Sequence, residues 1–589
     1  MTPTRYRLPA NADSAEVRAF AREVAREFAL PPQLGELLHH RGLTSLDQVQ
    51  AFLYPQLAML PSPDGMKGMG PAVACILAAC QRGKPIFIHG DYDVDGISAT
   101  ALLVSFLGEI GIAAAYYIPN RLEEGYGLSR ASIDRLLTLA SPGQIDRIRG
   151  GVLISVDCGI TAVGEVAYAQ GLGLRVVITD HHEPKEELPE AEAILDPKQP
   201  GCGFPFAQMA GVGVAFFLII ALRKALVEAG LIATTAVPNL KKYLDLVALG
   251  TVADVVPLTG VNRILVRAGL EVLSAKNRFG VLSLCEICGM ADHQVLAEDI
   301  AFKLAPRINA AGRFGVPLTG VRLLLADTLE QSRQLAAELE QMNQQRKQLE
   351  QAILPLIAGQ CGHQIEAGAD GLVVYQQGCH PGISGILASR ISDSHLRPTI
   401  IFTDDYQRGA GEARLKGSGR SIPGVNLFQI LEQCSPWIEQ FGGHAMAVGL
   451  SIKKSQLELF VQAFQRQATV QRPSPPPAGQ VAIDFHLQDK SQLDQGLVQS
   501  LQLLQPFGEG NPEPVFLLTG ELLLQPREIK GHLAFNIRGA RHLYPGIGFH
   551  LADAGHSFHQ PVDLVFQLKR SWYKGVERDQ IQALHLISL

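Results

Sequence analysis

Cysteine is scarce and scattered in this 589-residue chain: there are nine, and only Cys285 and Cys288 stand at CxxC spacing, with no second pair nearby. A structural zinc site needs a second pair of ligands, so this lone pair reads as apolar packing. An apolar leader is also missing, because MTPTRYRLPA has no hydrophobic region and no signal peptide is expected. Long apolar runs are absent. The most apolar window, Gly211 to Leu222, falls short of the ~20 residues a bilayer demands. Nor is there a surplus of positive charge. The net charge is -6, so any nucleic-acid contact has to come from local patches. What remains, 47% hydrophobic and 18% charged residues, is the composition of a soluble globular protein too long for one core. A cytoplasmic location without membrane attachment is the expectation.

Against that background one stretch stands out, Ile86 to Thr100, reading IFIHGDYDVDGISAT. A short apolar run predicts a buried strand. It stops at His89-Gly90, and Asp91, Asp93 and Asp95 follow at alternate positions before a helix predicted over Ile97–Leu107. Carboxylates packed together repel and are costly to desolvate, so their concentration at a strand end calls for a cation. Oxygen donors with an imidazole suit a divalent ion such as Mg or Mn.

From Lys84 onward strands and helices alternate. Strands are predicted at Pro85–His89, Ala113–Ile118, Gly151–Val156, Leu174–Thr179 and Ala191–Leu195. Helices are predicted at Ser129–Ala140, Ala162–Gln170 and Ala207–Glu228. This alternation predicts a mostly parallel, doubly wound sheet, in which ligands bind beyond the carboxyl ends of the strands. Two further strands end in acids or imidazoles on that edge, at Asp157 and at Asp180-His181-His182. Asp254 follows the apolar run Leu244–Val252. Singly, each such Asp is a turn former or helix cap. Together they fit two metals sharing a carboxylate, the arrangement that supports displacement at phosphorus.

HGDYDVDG, SVDCGI, TDHHEP and GTVADVVPL are similar to the four motifs of the DHH phosphoesterase superfamily. PNRLEEGYGLS, AGVGVAF, LAPRINAAGR, HPGISGILASR, GSGRSI, FGGHAMAVGL and PFGEGNPEPVF follow in the order found in the RecJ family of single-strand-specific 5′→3′ DNA exonucleases, which these segments resemble. The resemblance runs from about residue 80 to the C-terminus. It implies one metal on His89, Asp93 and Asp157, and a second on Asp95, Asp157, His181 and Asp254. It implies supporting catalytic roles for Asp91 and His182, and for His444 at the mouth of the site. Arg121, Arg313, Ser384 and Arg390 are the implied 5′-phosphate ligands. Two divalent ions, Mn2+ or Mg2+, are the implied cofactors. The implied partners of a monomeric enzyme are single-stranded DNA, a single-strand-binding protein and a recombination helicase.

The rest of the chain can be divided on the same basis. Residues 1–75 read as a helical lead-in and 76–325 as the DHH domain. A connector helix is expected over 326–360, a second α/β domain (DHHA1) over 361–470, a proline-rich linker over 471–479, and an OB-fold β-barrel over 480–589. In the second domain, strands are predicted at Gly371–Tyr375 and Thr399–Phe402. The stretch Arg408–Arg420 carries Arg408, Arg414, Lys416 and Arg420 against Glu412 alone, a pattern suited to forked phosphate contacts. In the last domain Phe535, Tyr544, Phe549, Trp572 and Tyr573 lie among Arg538, Arg541, Lys569, Arg570 and Lys574, with one or two of the aromatics expected to stack on bases. The rival readings are a DHH phosphodiesterase for dinucleotides, a manganese pyrophosphatase and a non-catalytic replication scaffold. The C-terminal β-domain argues against the first, the greater length and the RecJ-like segments against the second, and the intact acids against the third.

Overall fold

The computed structural model describes residues 6–7, 14–140, 148–405, 413–472, 481–552, 560–573 and 576–588. Arg408, Glu412, Lys574 and nearly all of the proline-rich stretch lie outside them. The chain divides into two compact units. One comprises Leu60–Val256 and Ala268–Pro477, the other Met1–Met59, Pro257–Arg267 and Ala478–Leu589.

The larger unit starts with a five-stranded, wholly parallel sheet: β1 (Ile86–Gly90), β2 (Ala114–Tyr117), β3 (Val152–Val156), β4 (Arg175–Thr179) and β5 (Ala193–Leu195), in the order β2-β1-β3-β4-β5. β1 and β3 are buried along their whole length, which is why both read as unbroken apolar runs rather than as alternation. The order reverses between β1 and β3, and such a switch point opens a crevice beyond the strand ends. Helices Arg130–Ala140 and Val163–Gly171 cover one face. Met69–Gln81, α1 (Val94–Glu109) and α2 (Gly211–Glu228) cover the other. α3 (Leu244–Ala253), buried almost throughout, packs on α1 and α2. α1 begins three residues before the predicted start because Asp93 caps it, its carboxylate accepting from the amides of Asp95 (2.9 Å) and Gly96 (3.2 Å). The acidic stretch therefore runs into the helix, with Asp93 as its cap and Asp95 in its first turn.

α4 (Ala305–Arg313) leads towards α5 (Leu329–Glu366), a 38-residue helix that outruns the predicted connector. At 1.5 Å per residue it is about 57 Å long. Its first half packs on helices of the first domain, and its second half joins the core of the next. That next domain holds β6 (Leu372–Tyr375), α6 (Pro381–His395), β7 (Thr399–Asp404), β8 (Arg414–Arg420), β9 (Gln440–Gly443) and β10 (Ala447–Lys453). Its sheet order is β9-β10-β8-β7-β6, with only β6 and β7 parallel.

The smaller unit is a seven-stranded sheet built from Phe485–Leu487 and from the strands between Phe516 and Ser588. The helices Ala15–Phe28, Pro32–His40 and Leu46–Leu53 do not stand apart from it as a lead-in. Val24, Leu34, Leu37, Val49 and Leu53 share one core with Phe516, Leu533 and Phe566. Arg263 is buried here and donates to the carbonyls of Phe52 (2.7 Å), Leu504 (3.0 Å) and Gln505 (2.8 Å), tying three remote segments together. Phe535 and Tyr544 are core residues, whereas Phe549 is half exposed beside His532.

Candidate metal centre and the cleft beside it

The strand ends of the parallel sheet gather the acids. Asp91 follows β1, Asp93 and Asp95 open α1, Asp157 follows β3, His181 and His182 follow β4, and Asp254 closes α3. Glycine makes this crowding possible. A Cβ on Gly211 would stand 2.9 Å from Asp157 Oδ1, and one on Gly250 would stand 2.7 Å from Asp95 Oδ1. Asp95 accepts from the amides of Gly211 (2.6 Å) and Val212 (2.8 Å), which puts its charge on the N-terminus of α2. Asp157 (φ 60°) and Val255 (φ 61°) both adopt the left-handed region, a strained state for either residue type. Two of the acid-bearing turns are thus held against local preference.

The ligand atoms converge in three groups: Asp91, Asp93 and Asp157; Asp95, His181 and Asp254; and Asp157, His181 and His182. Within each group the atoms lie within 4.8 Å of one another. His181 Nε2 stands 3.1 Å from Asp157, 3.5 Å from Asp254 and 3.9 Å from Asp95. Even so, Asp91 Oδ1, Asp157 Oδ1, Asp254 Oδ2 and both His181 nitrogens are buried without a hydrogen bond. Burial and the neighbouring acids push the carboxyls of Asp91 and Asp157 well above the usual range, Asp95 up to about 7 and Asp254 up to about 9. Burial, reinforced by the charge of His182, takes His181 down to about 3, which keeps it a neutral donor. Orphaned donors, mutually repelling acids and a neutral imidazole together fit a pair of divalent cations.

Two expected positions stand differently. His89 is in none of the three groups. It shares the strand face of Phe87, so its ring lies under the helix Arg130–Ala140, with Nε2 2.8 Å from Ser132 Oγ and Nδ1 3.8 Å from Cys158 Sγ. Asp91 stands beside Asp93 and Asp157 in the place expected of His89. His182 is held by Asp180 through Nδ1 (2.7 Å) and by Tyr126 through Nε2 (3.0 Å). Burial opposes its charge, but Asp180 lifts it to about 9. Asp180 also accepts from the amides of Ile160, His181 and His182. It is the positioning residue missed in the sequence, where its only signal is that it opens Asp-His-His.

A cavity of about 750 Å³ lies between the two α/β domains, lined by Tyr92, Arg121, Tyr126, Arg313, Ser384 and Lys416 among others. Arg121 lies over the Tyr92 ring at 4.9 Å. Burial and the charge of Arg121 pull Arg313 down to about 10 and Arg420, which does not itself line the cavity, down as well. Ser384 Oγ donates to the Pro381 carbonyl (2.8 Å) and lies 2.9 Å from Ser418 Oγ. The structure does not bring Arg390 or Arg414 to this cavity. Arg390 pairs with Glu350 at 2.9 Å, and Arg414 with Glu439 at 2.7 Å. His444 is exposed in the turn between β9 and β10, its amide bonded to the Ala447 carbonyl, and belongs to none of the metal groups.

Residues 85–251 match the model of the DHH family N-terminal domain, 368–469 that of the DHHA1 domain and 483–585 that of the RecJ OB domain. A single-stranded-DNA-specific exonuclease RecJ from Salmonella typhimurium is 39% identical over 94% of this chain and 95% of its own length. The chain belongs to the RecJ family. The RecJ of Escherichia coli is 37% identical over the same shares of the two chains. Crystal structures of Thermus thermophilus RecJ with Mn2+ and with Mg2+ superpose with TM-scores of 0.80 and 0.75, at 30% and 29% identity. They cover 99% of this chain and 80% and 78% of theirs. The chain has the DHH, DHHA1 and OB domains of the RecJ fold, and the Mn2+ and Mg2+ of those crystal structures agree with the donor set described above. Among the described residues no helix is long and apolar enough to cross a membrane.

Proposed function

We propose that the chain is a metal-dependent exonuclease specific for single-stranded DNA, which removes mononucleotides from the 5′ end. The observation that carries this is the juxtaposition in one unit of a buried acid–imidazole cluster with orphaned donors and a cavity lined by Arg121, Arg313 and Lys416. Asp91, Asp93 and Asp157 would hold one Mn2+ or Mg2+ ion, and Asp95, His181 and Asp254 the other. When bound, such a pair makes a water acidic and neutralises charge at phosphorus. Arg121, Arg313 and Arg420 bind the terminal 5′ phosphate, since crowded cations gain most from a dianion. Ser384 and Lys416 line the same cavity. Asp180 keeps His182 charged and aimed, so that a proton on Nε2 is available to a phosphate oxygen. His89, which burial takes down to about 4 and so keeps neutral at ordinary pH, supports β1 from behind. Tyr92 and Tyr126 wall the route and limit it to unpaired nucleotides.

The expected domain limits, a monomeric state, a cytoplasmic location, and a single-strand-binding protein and recombination helicase as partners belong to the same proposal. Digestion of 5′-labelled and 3′-labelled single strands and of duplex, with and without Mn2+, tests it. Early release of the 5′ label as mononucleotide, from single strands and only with metal, is expected. Activity confined to dinucleotides would overturn it.

A further inference from the structure

α5 passes from one α/β domain to the other, and Glu350 sits where it does so. Before it, Ser332, Ala336 and Leu339 are buried on the first-domain half. After it, Ile353, Leu354 and Ile357 pack into the second-domain core. Glu350 is itself only 2% exposed, a costly place for a carboxylate without partners. It has two. Arg346 Nη1 on its own helix donates to Oε1 at 2.5 Å, and Arg390 Nη2 on α6 pairs with Oε2 at 2.9 Å. Arg346 is oriented in turn by Asn343 Oδ1, at 2.9 Å and 3.3 Å. Asn343, Arg346 and Glu350 fall on one helical face, three and four residues apart.

α6 carries Pro381, Gly382 and Ser384, which line the cavity. Its first turn is fixed from the first domain, where Arg313 Nη1 donates to the Gly382 carbonyl (2.9 Å) and the Phe314 and His380 rings lie 5.1 Å apart. Along its length Ile383, Leu387, Ala388 and Ile391 seat α6 on its own sheet and on α5; Arg390, more than two turns from Gly382, adds the charged tie from α6 to α5. We propose that Glu350 is a positioning residue for strand selectivity: by holding Arg390 it fixes the α6 wall of the cleft at a width that admits one strand and not two. This rests on the single-strand reading above. It moves Arg390 from phosphate ligand to strut.

The test measures binding of a single-stranded oligonucleotide and of a blunt duplex of equal length to the full chain without divalent ions, together with thermal melting. Arg390→Met leaves the Glu350–Arg346 pair intact and is the primary variant. Its preference for the single strand is expected to fall roughly tenfold through tighter duplex binding, the scale of a lost, partly buried ion pair. Arg390→Lys should retain most of the preference, and Glu350→Gln should lose at least as much as Arg390→Met. Arg333→Met, which breaks the exposed Arg333–Glu286 pair on the same helix, should change nothing. A preference kept in Arg390→Met, even with a lowered melting temperature, would overturn this proposal alone. No preference in the wild-type protein would overturn the single-strand reading and this proposal together.

Discussion

In the first α/β domain Asp91, Asp95 and Asp157 are buried side by side next to the half-buried Asp254, and among the described residues none of the four pairs with a lysine or arginine. In the second half of the same unit the buried Glu350 is matched by Arg346 and Arg390. Both regions bury carboxylates, yet one leaves their oxygens orphaned and the other satisfies them. The physical difference is what each is built to hold. A satisfied carboxylate fixes protein to protein, whereas a nest of unsatisfied ones fixes protein to a cation from solution. Cations show the same contrast. Arg121 repels both Arg313 and Arg420, while Arg414 is neutralised by Glu439.

The largest break in this comparison is expected from Asp157→Asn. Asp157 belongs to two of the three ligand groups, so its loss should abolish tight metal binding in calorimetry. Exonuclease activity should fall on the order of 10³-fold or more. The metal-free protein should melt higher, because one member of a repelling set is gone. Wild-type metal binding in this variant would refute the two-metal site as drawn.

A smaller effect sharpens the same point through pH. In the metal-free protein, burial and neighbouring acids raise Asp95 to about 7 and Asp254 to about 9, from 3.8. The folded chain therefore binds more protons than the unfolded chain across that window. The stability tied to these groups is complete below about pH 4 and is lost as pH rises towards about 9. Each tenfold gain in a carboxyl's hold on its proton corresponds to ~1.4 kcal/mol. Melting temperatures should fall from pH 5 to pH 9 without metal, and saturating Mn2+ should flatten or reverse that slope. The same downward slope with and without Mn2+ would show that these carboxyls are not the ligands.

The smallest effect is expected at Arg414→Met. The Arg414–Glu439 pair is partly exposed, so breaking it should cost less than ~1 kcal/mol and leave single-strand affinity and its salt dependence unchanged. A tenfold loss of affinity would return Arg414 to the path of the DNA.

Much of the first domain was legible because parallel strands buried on both faces leave apolar runs, and because the crevice of such a sheet lies at known strand ends. The five strands fall within two residues of their predicted limits. Distinguishing Asp91 from His89 was harder. Both sit at the end of one strand, and the parity that turns His89 under Ser132 appears only once Phe87 is known to face that helix. Within the Arg/Gly stretch Arg414 misled, because a row of cations looks alike whether its partners are phosphates or a glutamate such as Glu439 from elsewhere in the same sheet.

The sequence by itself determined the chemistry: which acids and imidazoles end the strands, and that they need a divalent cation, because local pattern and composition carry that information. Only the tertiary structure decided which charges are neutralised. It placed Glu350 between Arg346 and Arg390, left oxygens of the Asp157 cluster without a hydrogen-bond partner, and put the helices before Met59 into the core of the C-terminal sheet. These outcomes depend on contacts between residues far apart in the chain, and burial sets whether a charge there is screened, paired or left for a metal.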